Sequence, residues 1–239
     1  MQEQILGQTM NLQELEAIEH PPVVVSNLDI FSPLIGYCGE DGTIPFGTLI
    51  TITGEPGTGK TKYALQVLDH ISAYNEVQCI FNGYEQIPAA IAQYAKSMKL
   101  RHINNFELYS EVPAIRTGQV HVIDSLDAFA STTFDSNYPD NKLANWLKIN
   151  AERSNIIFSI HHKTKGGGRE SGSSKFNQYT SCVIELKKSG KEVIATTSRK
   201  NRYPGSVNRL VLQHTAAGLI LAPTALEKFA GFMQGWGRK

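Results

Sequence analysis

The stretch Gly54-Glu55-Pro56-Gly57-Thr58-Gly59-Lys60-Thr61 constrains this chain more than any other feature. It follows the apolar, β-branched run Thr48–Thr53, which reads as a buried strand. It precedes residues 62–73, whose apolar side chains recur at helical spacing. A glycine-rich turn ending in Lys-Thr between strand and helix is the context in which G-x-x-x-x-G-K-[ST] forms a phosphate loop. Gly54, Gly57 and Gly59 let the backbone adopt conformations closed to other residues, so successive N–H groups converge on phosphate oxygens. The helix N-terminus adds partial positive charge. Lys60 reaches the β- and γ-phosphates and the Thr61 hydroxyl is placed for Mg²⁺. Residues 54–61 and Lys62, at the helix start, are the candidate contacts of a nucleoside triphosphate.

Composition leaves that reading intact. At 239 residues, with 41% hydrophobic and 19% charged side chains, the chain is suited to one α/β core. A net charge of +1 means that any nucleic-acid contact must come from local clusters. No apolar run approaches the length of a spanning helix, and the first residues lack the basic and apolar character of a secretory signal. Cys38, Cys79 and Cys182 are scattered, which fits neither a disulfide framework nor a zinc site. A cytoplasmic protein is the expectation.

Residues 1–30 read as an appendage, with a short helix over 11–20 stopped by Pro21-Pro22. Glycines and prolines between Phe31 and Gly47 suggest irregular chain. Strands are expected at 77–81, 106–109, 119–124 and 156–160, and helices at 89–98 and 141–153. Alternating strands and helices make a mainly parallel sheet covered on both faces, with ligands at the carboxyl ends of its strands. The runs 180–186, 192–197, 208–213 and 218–221 leave no room for helices, so they form an antiparallel meander on that core. The expected domain is 31–224, followed by a tail over 225–239.

Several acidic and basic positions stand where chemistry is expected. Asp124 closes the 119–124 strand and is a candidate Mg²⁺ ligand with Thr61; the structural alternative is a turn cap. Glu85 lies beyond the second strand, either as the activator of an attacking water or as an acid favoured by a helix N-terminus. His161-His162 follow the 156–160 strand without neighbouring ligands, so a phosphate- or water-reading role suits them better than a metal site. Lys163, Lys165, Arg169 and Lys175 lie in a Gly/Ser-rich segment, which suits a nucleic-acid backbone or a solvated loop. A second polar loop over 128–139 carries Phe129, Phe134 and Tyr138, placed to stack on bases or to pack locally.

Together these motifs resemble the RecA-like phosphate-loop ATPases of the RadA, KaiC and DnaB-helicase group over about residues 30 to 222. The run 44–61 is similar to their entry into the phosphate loop, Gly83-Tyr84-Glu85-Gln86 to the segment bearing their catalytic glutamate, and Val122-Ile-Asp124-Ser125 to their second nucleotide motif. Ile160-His-His-Lys-Thr-Lys165 resembles the Gly-His-x-Thr-Lys stretch of RadA, which places His162 at the sensor position. Lys200-Asn201-Arg202 resembles the Lys-Asn-Arg motif of bacterial RadA, whose basic pair reaches the γ-phosphate of a neighbouring subunit. The accessory modules of RadA and DnaB and the duplication of KaiC have no counterpart, so the likeness is to a single core of phage or plasmid type.

The resemblance implies a Mg²⁺-dependent ATPase with Lys60 on the phosphates, Thr61 and Asp124 on the metal, Glu85 on water and His162 as sensor. Lys200 and Arg202 would complete a neighbour's site in a homo-oligomeric ring, a hexamer in this reading, or filament. The expected output is work on single-stranded DNA in replication or recombination, as a helicase- or recombinase-type motor. The alternative is a KaiC-like switch that binds protein partners and no DNA.

Overall fold

The computed structural model describes residues 22–108, 112–133, 140–162, 174–197 and 199–223. Its centre is the strand β5 (Thr48–Gly54), every residue of which is buried. Buried strands that read as near-continuous apolar runs belong in a parallel sheet covered on both faces. β5 pairs in parallel with β9 (Ile156–His162) on one side and β10 (Cys182–Ser189) on the other. Beyond β9 come β8 (Gln119–Asp124), β6 (Gln78–Gly83) and β7 (Asn105–Leu108), all parallel. Beyond β10 an antiparallel meander adds β11 (Glu192–Thr196), β12 (Arg209–Thr215) and β13 (Gly218–Leu221). The nine-stranded order is β13-β12-β11-β10-β5-β9-β8-β6-β7, the mainly parallel sheet with a C-terminal meander that the pattern of runs predicts.

The period-2 alternation of the central strands feeds two cores. Ile50 and Ile52 of β5, Val120 and Val122 of β8, and Ile156, Phe158 and Ile160 of β9 face one of them. That core is closed by α1 (Lys60–Tyr74), whose Ala64, Val67, Leu68 and Ile71 form one helical stripe. Leu49, Ile123 and Ile157 face the other core, under α3 (Leu126–Thr133) and α4 (Asp140–Glu152). The helix α2 (Pro88–Met98) starts on a proline and buries only Ile91, so it lies on the surface.

Residues 31–47 are more ordered than their glycines and prolines suggest. They hold a 3₁₀ turn (Ser32–Leu34), the hairpin β2 (Gly36–Tyr37)–β3 (Glu40–Asp41), and β4 (Thr43–Pro45), which pairs with β1 (Val23–Val25). Phe31, Leu34, Ile35 and Ile44 are fully buried there. Apolar burial, not local propensity, orders this segment.

Two further expectations are corrected. The polar stretch after β8 is helical through Thr133 because Phe129, fully buried, packs 4.8 Å from the Tyr84 ring and 5.3 Å from Trp146. Phe129 is therefore a core residue and is unavailable for stacking on bases; Phe134 and Tyr138 lie outside the described residues. The segment before β10 ends in α5 (Ser174–Tyr179), with Phe176 edge-on to His161 at 5.2 Å. The expected N-terminal helix over 11–20 also lies outside the described residues.

Phe158, 0% exposed and 6.1 Å from the Phe31 ring, is the keystone of the first core. Phe158→Ala is expected to cost about 3–5 kcal/mol, read as a lowered urea midpoint with an unchanged slope.

Candidate functional site

Four strand ends converge above the sheet. The chain leaves β5 at Gly54, turns through 55–59 and enters α1 at Lys60. Gly59 closes that turn at φ 91°, a left-handed conformation that favours glycine. A Cβ on Gly59 would lie 2.5 Å from Cε1 of His214, so the loop is pinned between helix and meander.

Lys60 is buried, and its ammonium donates to the carbonyls of Gly54 at 2.9 Å and Glu55 at 3.0 Å. Burial pushes the Lys60 pKa down, against the opposing attraction of Asp124, Glu85 and Asp127. The loop thus holds its own cation at the cavity wall.

Thr61 donates its hydroxyl hydrogen to Oδ2 of Asp124 at 2.7 Å. Asp124 ends β8 and is 1% exposed. Burial raises its pKa to about 6, opposed by the Thr61 hydrogen bond and by the charges of His162 and Lys60. A buried carboxylate costly to ionise, beside a hydroxyl oxygen, fits a hard divalent cation that also takes phosphate and water oxygens. Among the described residues no group of three His, Cys, Asp or Glu forms a metal site without a ligand's help. The pair therefore suits Mg²⁺ arriving with a nucleotide.

Glu85 and His162 meet across the end of β8. Their Oε2 and Nε2 atoms are 2.7 Å apart, and an ionised carboxylate only accepts, so His162 Nε2–H is the donor. The His162 backbone N–H donates to Oδ2 of Asp127 at 3.3 Å, in the first turn of α3. Glu85, from beyond β6, and His162, at the end of β9, come from strands separated by β8. Both line one cavity with the phosphate loop.

That cavity, about 270 Å³, is lined by Pro56, Gly57, Gly59–Lys62, Glu85, Gln86 and His162, and also by Tyr94 and His214. The last two have no motif in the sequence. Tyr94 arrives on α2 with its ring 5.2 Å from the Lys62 ammonium. His214 arrives because β12 runs parallel to β10 and ends beside the phosphate loop. The Gln66 carboxamide of α1 fastens this meander by pairing with both backbone polar groups of Leu219, at 2.9 and 3.0 Å. Burial and the charges of Lys62 and Lys188 hold His214 below its usual pKa, so it is neutral near pH 7. Only the fold, through the placement of α2 and the return of the meander, reveals these residues.

Lys200 and Arg202 are elsewhere. They lie in the connection between β11 and β12, where Arg202 N–H donates to Ser181 and Val183 N–H to the Lys200 carbonyl. This connection is at the amino end of β10 and β5, so the seven residues of β5, about 20 Å of strand, separate it from the phosphate loop. Lys200 Nζ donates to the Gln178 carbonyl of α5 at 3.0 Å. Arg202 lines a second cavity of about 150 Å³ with Lys148, Tyr179 and Tyr203. Neither side chain can serve its own phosphate loop. Lys163, Lys165 and Arg169 lie outside the described residues, and Lys175 falls on α5.

No family model matches this sequence. The circadian clock oscillator protein KaiC of Acaryochloris marina is 23% identical over 198 residues, covering 78% of this chain and 34% of that protein. The chain thus spans about a third of the length of this relative. Two solved structures share its fold. A KaiC-like protein from the hyperthermophilic archaeon Pyrococcus horikoshii aligns with a TM-score of 0.63 at 18% identity, over 85% of this chain and 100% of that one. The flagellar accessory protein FlaH of Methanocaldococcus jannaschii aligns with a TM-score of 0.62 at 18% identity, over 80% of this chain and 98% of that one. The fold is the RecA-type α/β fold of KaiC-like proteins. Among the described residues no helix is long and apolar enough to cross a membrane.

Asp124 supplies a sign-definite prediction. Its folded pKa, about 6, exceeds the ordinary value near 3.9. Its contribution to stability is therefore full below about pH 4 and lost as pH rises through 6. Without metal, Asp124→Asn is expected to raise the urea midpoint at pH 8 and to leave it nearly unchanged at or below about pH 4, while Mg²⁺-nucleotide affinity falls.

Proposed function

We propose that this protein is a Mg²⁺-dependent ATPase whose active sites are completed between copies of the chain. One observation carries this reading. The phosphate loop, Thr61, Glu85 and His162 line one cavity, with Asp124 hydrogen-bonded to Thr61, whereas Lys200 and Arg202 lie at the far end of the sheet. A basic pair useless to its own site is suited to a neighbour's, in a head-to-tail ring or filament.

Lys60 and the backbone N–H groups of 57–61 bind the phosphates, and Lys60 exchanges its two carbonyl partners for phosphate oxygens. Thr61 and Asp124 would hold Mg²⁺, which when bound neutralises charge on the β- and γ-phosphates. Glu85 takes the proton of the attacking water. His162, whose Nε2–H is donated to Glu85, orients that carboxylate. Arg202 and Lys200 of the next copy stabilise charge developing on the transferred group. Tyr94 and His214 flank the remaining end of the cavity, where the nucleoside lies.

What turnover drives has two readings. The basic Gly/Ser-rich segment carrying Lys163, Lys165, Arg169 and Lys175 favours single-stranded DNA and a motor in replication or recombination. The similarity to KaiC favours a switch acting on protein partners. Steady-state hydrolysis with and without single-stranded DNA, at low and moderate salt, separates them. Salt-sensitive stimulation supports the motor, and a rate indifferent to DNA supports the switch.

Glu85→Gln is expected to keep nucleotide affinity within about threefold and to lower turnover by at least ~10²-fold. A variant hydrolysing near the wild-type rate removes Glu85 from the water-activating role. Arg202→Ala is expected to lower kcat by about 10³-fold while nucleotide binding by the isolated chain is unchanged, measured with a fluorescent ATP analogue.

A further inference from the structure

Four polar side chains lie bonded end to end beneath the helices of the second core. Leu49 of β5 and Ile157 of β9 begin that face of the sheet with apolar contacts. Two residues further along each strand stand Thr51 and Ser159, level with one another, and two beyond Ser159 stands His161. Thr51 Oγ1 is 2.7 Å from Oγ1 of Thr180 and 3.3 Å from Oγ of Ser159, which is 3.2 Å from Nε2 of His161. All four residues are buried. Apolar side chains would fill this face without the desolvation cost that hydroxyls and an imidazole carry. A fully bonded series of this kind contributes fixed positions instead.

The end of α5 holds both ends of the series. Thr180 begins it, and Thr180 N–H donates to the Phe176 carbonyl at 3.0 Å. Phe176 meets the other end, its ring edge-on to His161 at 5.2 Å. The contacts close a circuit from α5 through β5 and β9 and back to α5. With six residues, α5 is too short to be stable alone, so its seat depends on such attachments. On β9 the next residue is His162, whose side chain leaves the opposite face. Its ring donates to Glu85 at 2.7 Å and its N–H to Asp127 at 3.3 Å. Holding the His161 ring on one face of β9 therefore fixes the backbone from which His162 reaches Glu85.

We propose that Thr180, Thr51, Ser159 and His161 are positioning residues for the Glu85–His162 pair, one hydrogen-bonded series through which the seat of α5 sets the aim of the Glu85 carboxylate. This rests on the reading that Glu85 activates water, and adds that its orientation is set from the other face of β9. The series also has a direction, because each hydroxyl has one hydrogen to give. When Thr180 gives to Thr51, Thr51 to Ser159 and Ser159 to His161 Nε2, every hydrogen falls on a contact of 3.3 Å or less. The reverse order sends the Thr180 hydrogen to the Leu49 carbonyl at 3.5 Å, which already accepts Ser181 N–H at 2.7 Å. The shorter set holds, so His161 accepts at Nε2 and its imidazole carries the proton on Nδ1.

One measurement needs no variant. Imidazole ¹⁵N shifts of the full chain are expected to show His161 Nε2 without a proton, and a proton there overturns the series as drawn. Thr51→Val and Ser159→Ala are then compared with wild type in steady-state ATP hydrolysis. Each is expected to lower kcat by about tenfold or more with KM kept within about twofold. Thr51→Ser, which returns the hydroxyl, is expected to recover most of the rate. Thr53 is the control: it is buried and level with His161, and its hydroxyl has no hydrogen-bond partner among the described residues. Thr53→Val is expected to leave kcat unchanged. In a Glu85→Gln chain, Ser159→Ala is expected to cost nothing further, because the series acts through Glu85. Wild-type kcat in both series variants, an equal loss from Thr53→Val, or a full additional loss on Glu85→Gln each overturns the positioning role and leaves the role of Glu85 standing. A Glu85→Gln chain that hydrolyses at the wild-type rate overturns both.

Discussion

Thr61 and Asp124 meet across strands that are not neighbours. β5 leads into the loop and helix that carry Thr61, β8 ends in Asp124, and β9 lies between them. Their 2.7 Å hydrogen bond exists because the parallel sheet sets the three strand ends close together: Gly54 is level with His162, and Ile123 with Ser159, so that β8 ends about two residues below the ends of β5 and β9. Slip any of these strands by one residue and each core side chain exchanges faces. The burial of Ile52, Val122 and Phe158 therefore fixes the site as firmly as its own hydrogen bonds do.

Buried polar groups of the same sheet are in several places paired with one another. His121 is fully buried on β8, held neutral with its pKa near 4 by burial alone, between Asn82 at 3.1 Å and Gln119 at 3.0 Å. Thr51 is likewise paired with Thr180 at 2.7 Å. Asp124 differs, because its ionised form is incompletely compensated within the protein. In the proposed function, that residual cost is what a cation arriving with nucleotide would relieve, which would link metal affinity to the architecture of β8.

The phosphate loop, the parallel strands and the meander were legible in the sequence because each rests on local chemistry: glycines at fixed spacing, β-branched apolar runs, an acid at a strand end. Glu85 and His162 were legible as candidates, and the 2.7 Å contact between them needed the fold. Order over 31–47 was hidden because Phe31, Leu34 and Ile44 are organised by distant apolar partners against local turn signals. The stretch after β8 read as polar loop because its helix is held by one buried aromatic, Phe129. His214 and Tyr94 gave no signal at all, since their place in the cavity depends on α2 and on the return of β12 over the loop. The far-end position of Lys200 and Arg202 followed from the strand directions once the meander was laid against β10.

The account turns on one claim, that a site's phosphate loop and its basic pair come from different copies of the chain. The most direct measurement mixes two inactive chains, Lys60→Ala and Arg202→Ala, in equal amounts and follows steady-state ATP hydrolysis. Random head-to-tail assembly leaves about a quarter of the interfaces with an intact loop facing an intact arginine, so activity is expected to recover to about that fraction of wild type. Assembled mixtures that stay as inactive as their components would contradict the account.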